Sequence, residues 1–267
     1  MSDTMSGSAV PTPEVNISES RGIRYLHFDS PWIQGAMKIE SPDELHLDYI
    51  QRMMVWMLFR DEAAVTRGHA VQLGLGAAAI TRFCHKRLKM RSTAVELNRH
   101  VIEACRLWFR LPRNSERLQV LEMDAAAYVA DPSRRGSAEV LAVDLYDEDA
   151  ASPVLDSEAF YTDCRALLAE GGLMTVNLFG REASFDLSFA RIAAAFGADQ
   201  VHALKPTPEG NTIVLAMKHV TVPDRDTLAR RAENIETRWK LPARKWLRMM
   251  SLLPIDASVP LPELPPA

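Results

Sequence analysis

From His69 onward, short apolar runs alternate with amphipathic stretches, and this alternation limits the fold more than any other feature of the chain. AVQLGLG (70–76), STAVEL (92–97), LQVLEMD (118–124), EVLAVDLYD (139–147) and Leu173–Leu178 read as strands. Ala77–Leu88, Arg99–Phe109, Ser157–Ala169 and Phe185–Phe196 carry helical spacing, with Gly171-Gly172 expected to cap the third of these helices. Strands alternating with helices imply parallel βαβ units with right-handed crossovers. Gln200–Leu204 and Asn211–Met217 flank PTPEG and read as a closing antiparallel hairpin. The expected fold is α/β: a Rossmann-like, seven-stranded, mostly parallel sheet with helices on both faces and an antiparallel C-terminal hairpin.

The flanks have a different character. Residues 1–20 are rich in Ser, Pro, Thr and Glu without a period and read as a disordered arm. Residues 21–50 read as a small N-terminal β element and linker, and 51–220 as the Rossmann-like unit. Ser41-Pro42-Asp43-Glu44 offers a cap, an early proline and two acids, so a helix is expected over Asp43–Arg60. Residues 221–267 read as a basic helix, centred on 224–248 and carrying Trp239 and Trp246, followed by a Pro-rich tail. The plain role of that helix is to pack its Trp and Leu face on the domain; docking a partner or a second copy is the other option.

Lys+Arg total 31 against Asp+Glu 35, for a formal net charge of -4, so no basic field exists to hold nucleic acid. No apolar run approaches the roughly 18–20 residues that a bilayer requires. The N-terminus lacks a charged start followed by an apolar run, so no secretory signal is read. Three cysteines without a CxxC pair fit buried free thiols in a reducing compartment. The seven histidines show no metal-ligand spacing. The expectation is a cytoplasmic protein without a metal.

Four strand ends carry chemistry. Gly74-Leu75-Gly76 closes the first strand where backbone must turn sharply and a ligand can approach closely. Glu96 closes the next, 20 residues after Gly76, where an acid commonly accepts ribose hydroxyls. Asp124-Ala125 follows the third strand, with an acceptor for an exocyclic amine beside a small residue. Asp144 and Asp147 bracket the end of EVLAVDLYD, where two carboxylates could orient an amine or take a proton. Together these are the residue types an adenosine pocket requires.

The order and spacing of AVQLGLGAAAITRF (70–83), TAVELNRHVIEACR (93–106), EVLAVDLYD (139–147) and LDSEAFYTDCRALLAEGGLMTVN (155–177) resemble the spermidine/spermine synthase (polyamine aminopropyltransferase) family, on the S-adenosylmethionine-dependent methyltransferase fold. The likeness spans about residues 22–219. It implies transfer of an aminopropyl group from decarboxylated S-adenosylmethionine to a small-molecule amine, and a homodimer joined through the N-terminal β region. By resemblance, Gly74 and Gly76 would line the sulfonium nucleoside, Glu96 would hold the ribose, and Asp124 with Ala125 the adenine. Asp144 would match the proton acceptor and Asp147 the second amine-binding acid. Tyr49 would stand for a substrate-binding tyrosine, displaced by two positions because Leu47-Asp48 occupies the place of the family's Tyr-His pair. Ala77 replaces the acid inside the family's glycine loop, and Leu145-Tyr146 replaces small polar residues between the two acids. The nucleoside half of the site is therefore kept and the amine half altered. A methyltransferase using intact S-adenosylmethionine, with room beside Ala77 for the donor carboxylate, is the alternative; a catalytically silent nucleoside-binding homologue is another.

Overall fold

The computed structural model describes residues 14–28, 33–145, 155–179 and 182–250. Two sheets organise them. The smaller is antiparallel in the order β1 (Asn16–Ser20), β2 (Ile23–His27), β3 (Ile33–Lys38). The larger contains β4 (His69–Leu73), β5 (Arg91–Glu96), β6 (Leu118–Glu122), β7 (Ala138–Val143), β8 (Leu168–Phe179), β9 (Val201–Ala203) and β10 (Asn211–Met217), ordered β6-β5-β4-β7-β8-β10-β9. β4 to β8 run parallel, whereas β10 is antiparallel to both β8 and β9. This is the expected α/β architecture, hairpin included.

Alternation along the central strands divides the core. Ala70, Val140, Ala142, Ile213 and Leu215 face one side, where they meet Met53–Phe59, a 3-10 continuation of α1 (Asp48–Arg52). Val71, Leu141, Val143, Val214 and Ala216 face the other, against α4 (Ala125–Ala130), α5 (Glu158–Leu167) and α6 (Glu182–Phe196). Strands covered on both faces read as near-continuous apolar runs, which explains their legibility. α2 (Ala79–Arg82) passes into a π-helical turn, and α3 (Arg99–Trp108) packs Val101, Ile102 and Cys105 with Leu26 and Met37 of the small sheet.

Four expectations need correction. Asn16–Ser20, assigned to the arm, pairs along its whole length with β2. The helix expected from Asp43 begins at Asp48: Glu44 N–H donates to the Ser41 carbonyl at 3.0 Å and the buried Arg82 Nε to the Pro42 carbonyl at 3.0 Å, so the segment ahead of it is held as a turn against α2. Gly171-Gly172 lies within β8 and does not cap α5. The Ala166 and Leu167 carbonyls instead accept from Gly136 and Ser137 N–H at 2.9 and 3.0 Å, so no glycine cap is needed. The C-terminal helical stretch divides at Lys240, in the left-handed conformation, into α7 (Arg225–Trp239) and α8 (Ala243–Met249).

Leu228, Ala232, Ile235, Trp239 and Trp246 join the core cluster that contains Trp56. The apolar face of these helices is thus covered by the protein itself, which agrees with the packing role. No helix among the described residues is long and apolar enough to cross a membrane.

Candidate active site

Parallel strands bring their carboxyl ends to one edge, and the loops leaving that edge enclose a cavity of about 580 Å³. Gly74, Gly76, Glu96, Asp124, Ala125 and Asp144 all line it, as does Tyr49. Seven of the eight residues singled out from sequence therefore meet in one hollow. Asp147 lies outside the described residues.

Backbone bonds fix the strand ends against each other. Gly74 N–H donates to the Val95 carbonyl at 2.9 Å and Asp144 N–H to the Leu73 carbonyl at 3.0 Å. Gly74 has φ +82°, and a Cβ there would fall 2.1 Å from the Asp144 carbonyl oxygen. Gly76, at φ +51°, would place a Cβ 2.9 Å from the Gln34 carbonyl of β3. Both glycines are required by close backbone approach.

Glu96 braces this loop. Its Oε2 accepts from Leu75 N–H at 2.8 Å and its Oε1 from Asn98 N–H at 2.9 Å. Burial pushes its carboxyl above the usual range, and the backbone donors oppose that shift. With Leu97 N–H as a third backbone donor, one of its four lone-pair positions stays open, so the residue can brace the loop and still accept a ribose hydroxyl. Asp124 caps α4, accepting from Ala127 N–H at 2.8 Å through Oδ1, which leaves Oδ2 as an acceptor in the same wall.

Asp144 lies at the other end of the hollow. Its Oδ1 accepts from the Asn177 amide at 2.9 Å and its Oδ2 from the Tyr49 hydroxyl at 3.4 Å. Burial raises its pKa, while these two donors pull it down. Asn211 Nδ2 then donates to Asn177 Oδ1 at 3.1 Å, tying the start of β10 to the carboxylate. Asn177 lies two residues before the end of β8, whereas Glu96 closes β5, so the strand-end argument that selected Glu96 passes over it. Gln34, His46 and Glu209, also in the wall, left no comparable signal in sequence.

Ala77 does not open the cavity as expected. It is 3% exposed, and a Cβ on Gly35 would fall 2.6 Å from its own Cβ, so its methyl group packs on the small sheet. Leu145 forms part of the wall without plugging it. Residues of β2, β3 and the linker, including Tyr25, Gln34 and His46, share the wall with the large sheet, so the site extends beyond residues 51–220.

The charge of the wall is one-sided. Five carboxylates line it, from Asp48, Glu96, Asp124, Asp144 and Glu209, and among the described residues no Lys or Arg does. His46 is held below the ordinary histidine pKa by burial and by Lys38. Among the described residues, no group of three or more His, Cys, Asp or Glu is placed to hold a metal ion.

No protein-family model matches the chain. A polyamine aminopropyltransferase of Neisseria meningitidis serogroup A is 32% identical over 237 residues, which is 88% of this chain and 88% of that protein. The crystal structure of a probable spermidine synthase from Corynebacterium glutamicum superposes with a TM-score of 0.67 at 19% identity, covering 82% of this chain and 83% of that one. Human methyltransferase-like protein 13, in complex with SAH, gives 0.65 at 20% identity, covering 73% and 93%. These two likenesses establish a common fold and do not separate one donor from the other. The identity and coverage shared with the Neisseria protein do assign a family: the chain belongs to the polyamine aminopropyltransferases.

Proposed function

We propose that the chain transfers an aminopropyl group from decarboxylated S-adenosylmethionine to a polyamine or related amine. The observation that carries this reading is a wall of carboxylates that, among the described residues, includes no Lys or Arg. A decarboxylated donor brings a sulfonium and an ammonium but no carboxylate, so every charge it carries is attracted. Intact S-adenosylmethionine would bring a carboxylate into a wall where, among the described residues, no cationic side chain receives it, which counts against the methyltransferase alternative. The open hollow counts against a silent homologue.

In this reading Gly74 and Gly76 admit the nucleoside, Glu96 takes the ribose, and Asp124 with Ala125 the adenine. The acceptor nitrogen attacks the aminopropyl carbon bound to sulfur. The new C–N bond forms as the C–S bond breaks, and its electron pair returns to sulfur to leave neutral methylthioadenosine. The proton lost by nitrogen passes to Asp144, whose buried carboxylate is a stronger base than an exposed one, while Tyr49 and Asn177 hold it in position. Asp147 is the second amine-binding acid by family resemblance.

A homodimer through the small sheet and a cytoplasmic setting belong to the same proposal. β1 is exposed at four of its five positions, and the three cysteines are free and buried. Light scattering on the purified chain tests the dimer. Calorimetry with S-adenosylmethionine, its decarboxylated form and methylthioadenosine tests the function. Tighter binding of the decarboxylated donor than of the intact one, together with turnover in the presence of a diamine, is expected. Preference for the intact donor would overturn the reading.

A further inference from the structure

The five carboxylates in the wall are not equivalent. Asp48 is neutralised by Arg52 at 2.6 Å and has Lys245 at 3.9 Å. Glu96 and Asp124 belong to the nucleoside end, and Asp144 to the reacting nitrogen. Glu209 remains. It is exposed on the turn between β9 and β10, and among the described residues it forms no ion pair.

The turn that carries it is stiff. Thr207 N–H donates to the Asn211 carbonyl at 2.8 Å, and Gly210 N–H to the Thr207 carbonyl at 3.0 Å. Asn211 N–H donates to Thr207 Oγ1 at 3.1 Å. Gly210, at φ +102°, lies against the Phe179 ring, where a Cβ would come within 3.3 Å of the ring edge. Asn211 is bonded through Asn177 to Asp144. The turn that carries Glu209 is therefore tied to the proposed proton acceptor through Asn211 and Asn177, and Glu209 lines the same hollow.

We infer that Glu209 binds the distal ammonium of a linear diamine or polyamine while the other nitrogen is presented to Asp144. This makes Glu209 a specificity-determining residue that favours acceptors with a second positive charge. The inference rests on the aminopropyl-transfer reading.

Steady-state kinetics of the full chain and of Glu209→Gln, at saturating decarboxylated S-adenosylmethionine, test it with putrescine as substrate and butylamine as competitive inhibitor. The exchange preserves shape at an exposed position, and a thermal melt checks that the fold is kept. In the variant the KM for putrescine should rise about five- to tenfold while kcat stays within about twofold, because only a charge-assisted contact to a non-reacting nitrogen is lost. The inhibition constant of butylamine, which has no second charge, should not change. An unchanged KM for putrescine, or equal weakening of both amines, overturns the role of Glu209 and leaves aminopropyl transfer standing. A wild-type chain inert with the decarboxylated donor and every amine overturns aminopropyl transfer, and this inference with it.

Discussion

The backbone of Gly74 and that of Asp144 approach so closely that a methyl group on the glycine would lie 2.1 Å from the aspartate carbonyl oxygen. The turn proposed to receive the nucleoside and the strand end proposed to present the proton acceptor are thus parts of one tightly packed corner. Gly74→Ala should destabilise the fold by about 1–3 kcal/mol, since it combines an overlap with a strained φ. It should also abolish measurable nucleoside binding. Thermal denaturation and calorimetry check both effects, and a variant that binds normally would show the corner to be more pliable than described.

Asp144→Asn should lower turnover about a hundredfold or more while nucleoside affinity stays near that of the wild type. Its effect on stability should have the opposite sense. Burial raises the Asp144 pKa in the folded state, so the folded chain binds more protons than the unfolded one as pH climbs through the carboxylate range. Stability associated with this group is full below its unfolded pKa and is lost as pH rises through the folded value. At neutral pH the neutral amide should therefore raise the melting temperature slightly. A lower melting temperature with intact turnover would contradict both expectations.

The acidic limb of the pH profile for kcat/KM should follow Asp144, which must be ionised to accept a proton, and should lie above the ordinary range for an aspartate. The Tyr49 hydroxyl donates to Asp144 Oδ2 and lowers its pKa. Tyr49→Phe removes that donor, so the limb should move to higher pH. Rates measured across the acid range for both proteins decide this; a limb that stays in place would remove Tyr49 from the proton-transfer step.

Glu96→Gln leaves only one oxygen for two backbone donors, Leu75 N–H and Asn98 N–H. A partly buried N–H without an acceptor costs about 1–3 kcal/mol. Donor binding should weaken accordingly, while kcat at saturating donor should change little. Initial-rate measurements at varied donor concentration separate the two.

The thiols should be silent in the native state. Cys84 is pushed up to about 12 by burial, and Cys105 and Cys164 are likewise raised. Ellman's reagent should find no reactive thiol in the folded chain and all three cysteines after denaturation. Fast reaction of the folded protein would mean that the core opens locally.

Much of this site was legible because parallel strands deliver their ends to one edge, so the residue types at those ends sufficed to place Gly74, Glu96, Asp124 and Asp144 together. What was not legible depends on partners remote in sequence. Asn177 meets Asp144 across 33 positions and Asn211 meets Asn177 across 34, and neither amide has a local pattern that marks it. Gln34 enters the wall from a separate sheet. The start of α1 was misplaced because the segment before it is held by Arg82, 40 positions away from Pro42, a partner that the local capping pattern does not show. Ala77 was read by its chemical type, whereas Gly35 decides where its side chain goes.

Aminopropyl transfer cancels the sulfonium charge, so the spent nucleoside departs neutral although its precursor arrived as a cation. An enclosure whose charged side chains, among the described residues, are all carboxylates attracts the precursor through Coulomb forces but holds the spent thioether only by shape and hydrogen bonding. The reaction itself then loosens the grip on what must be released. Added salt should accordingly weaken donor capture more than it weakens inhibition by methylthioadenosine.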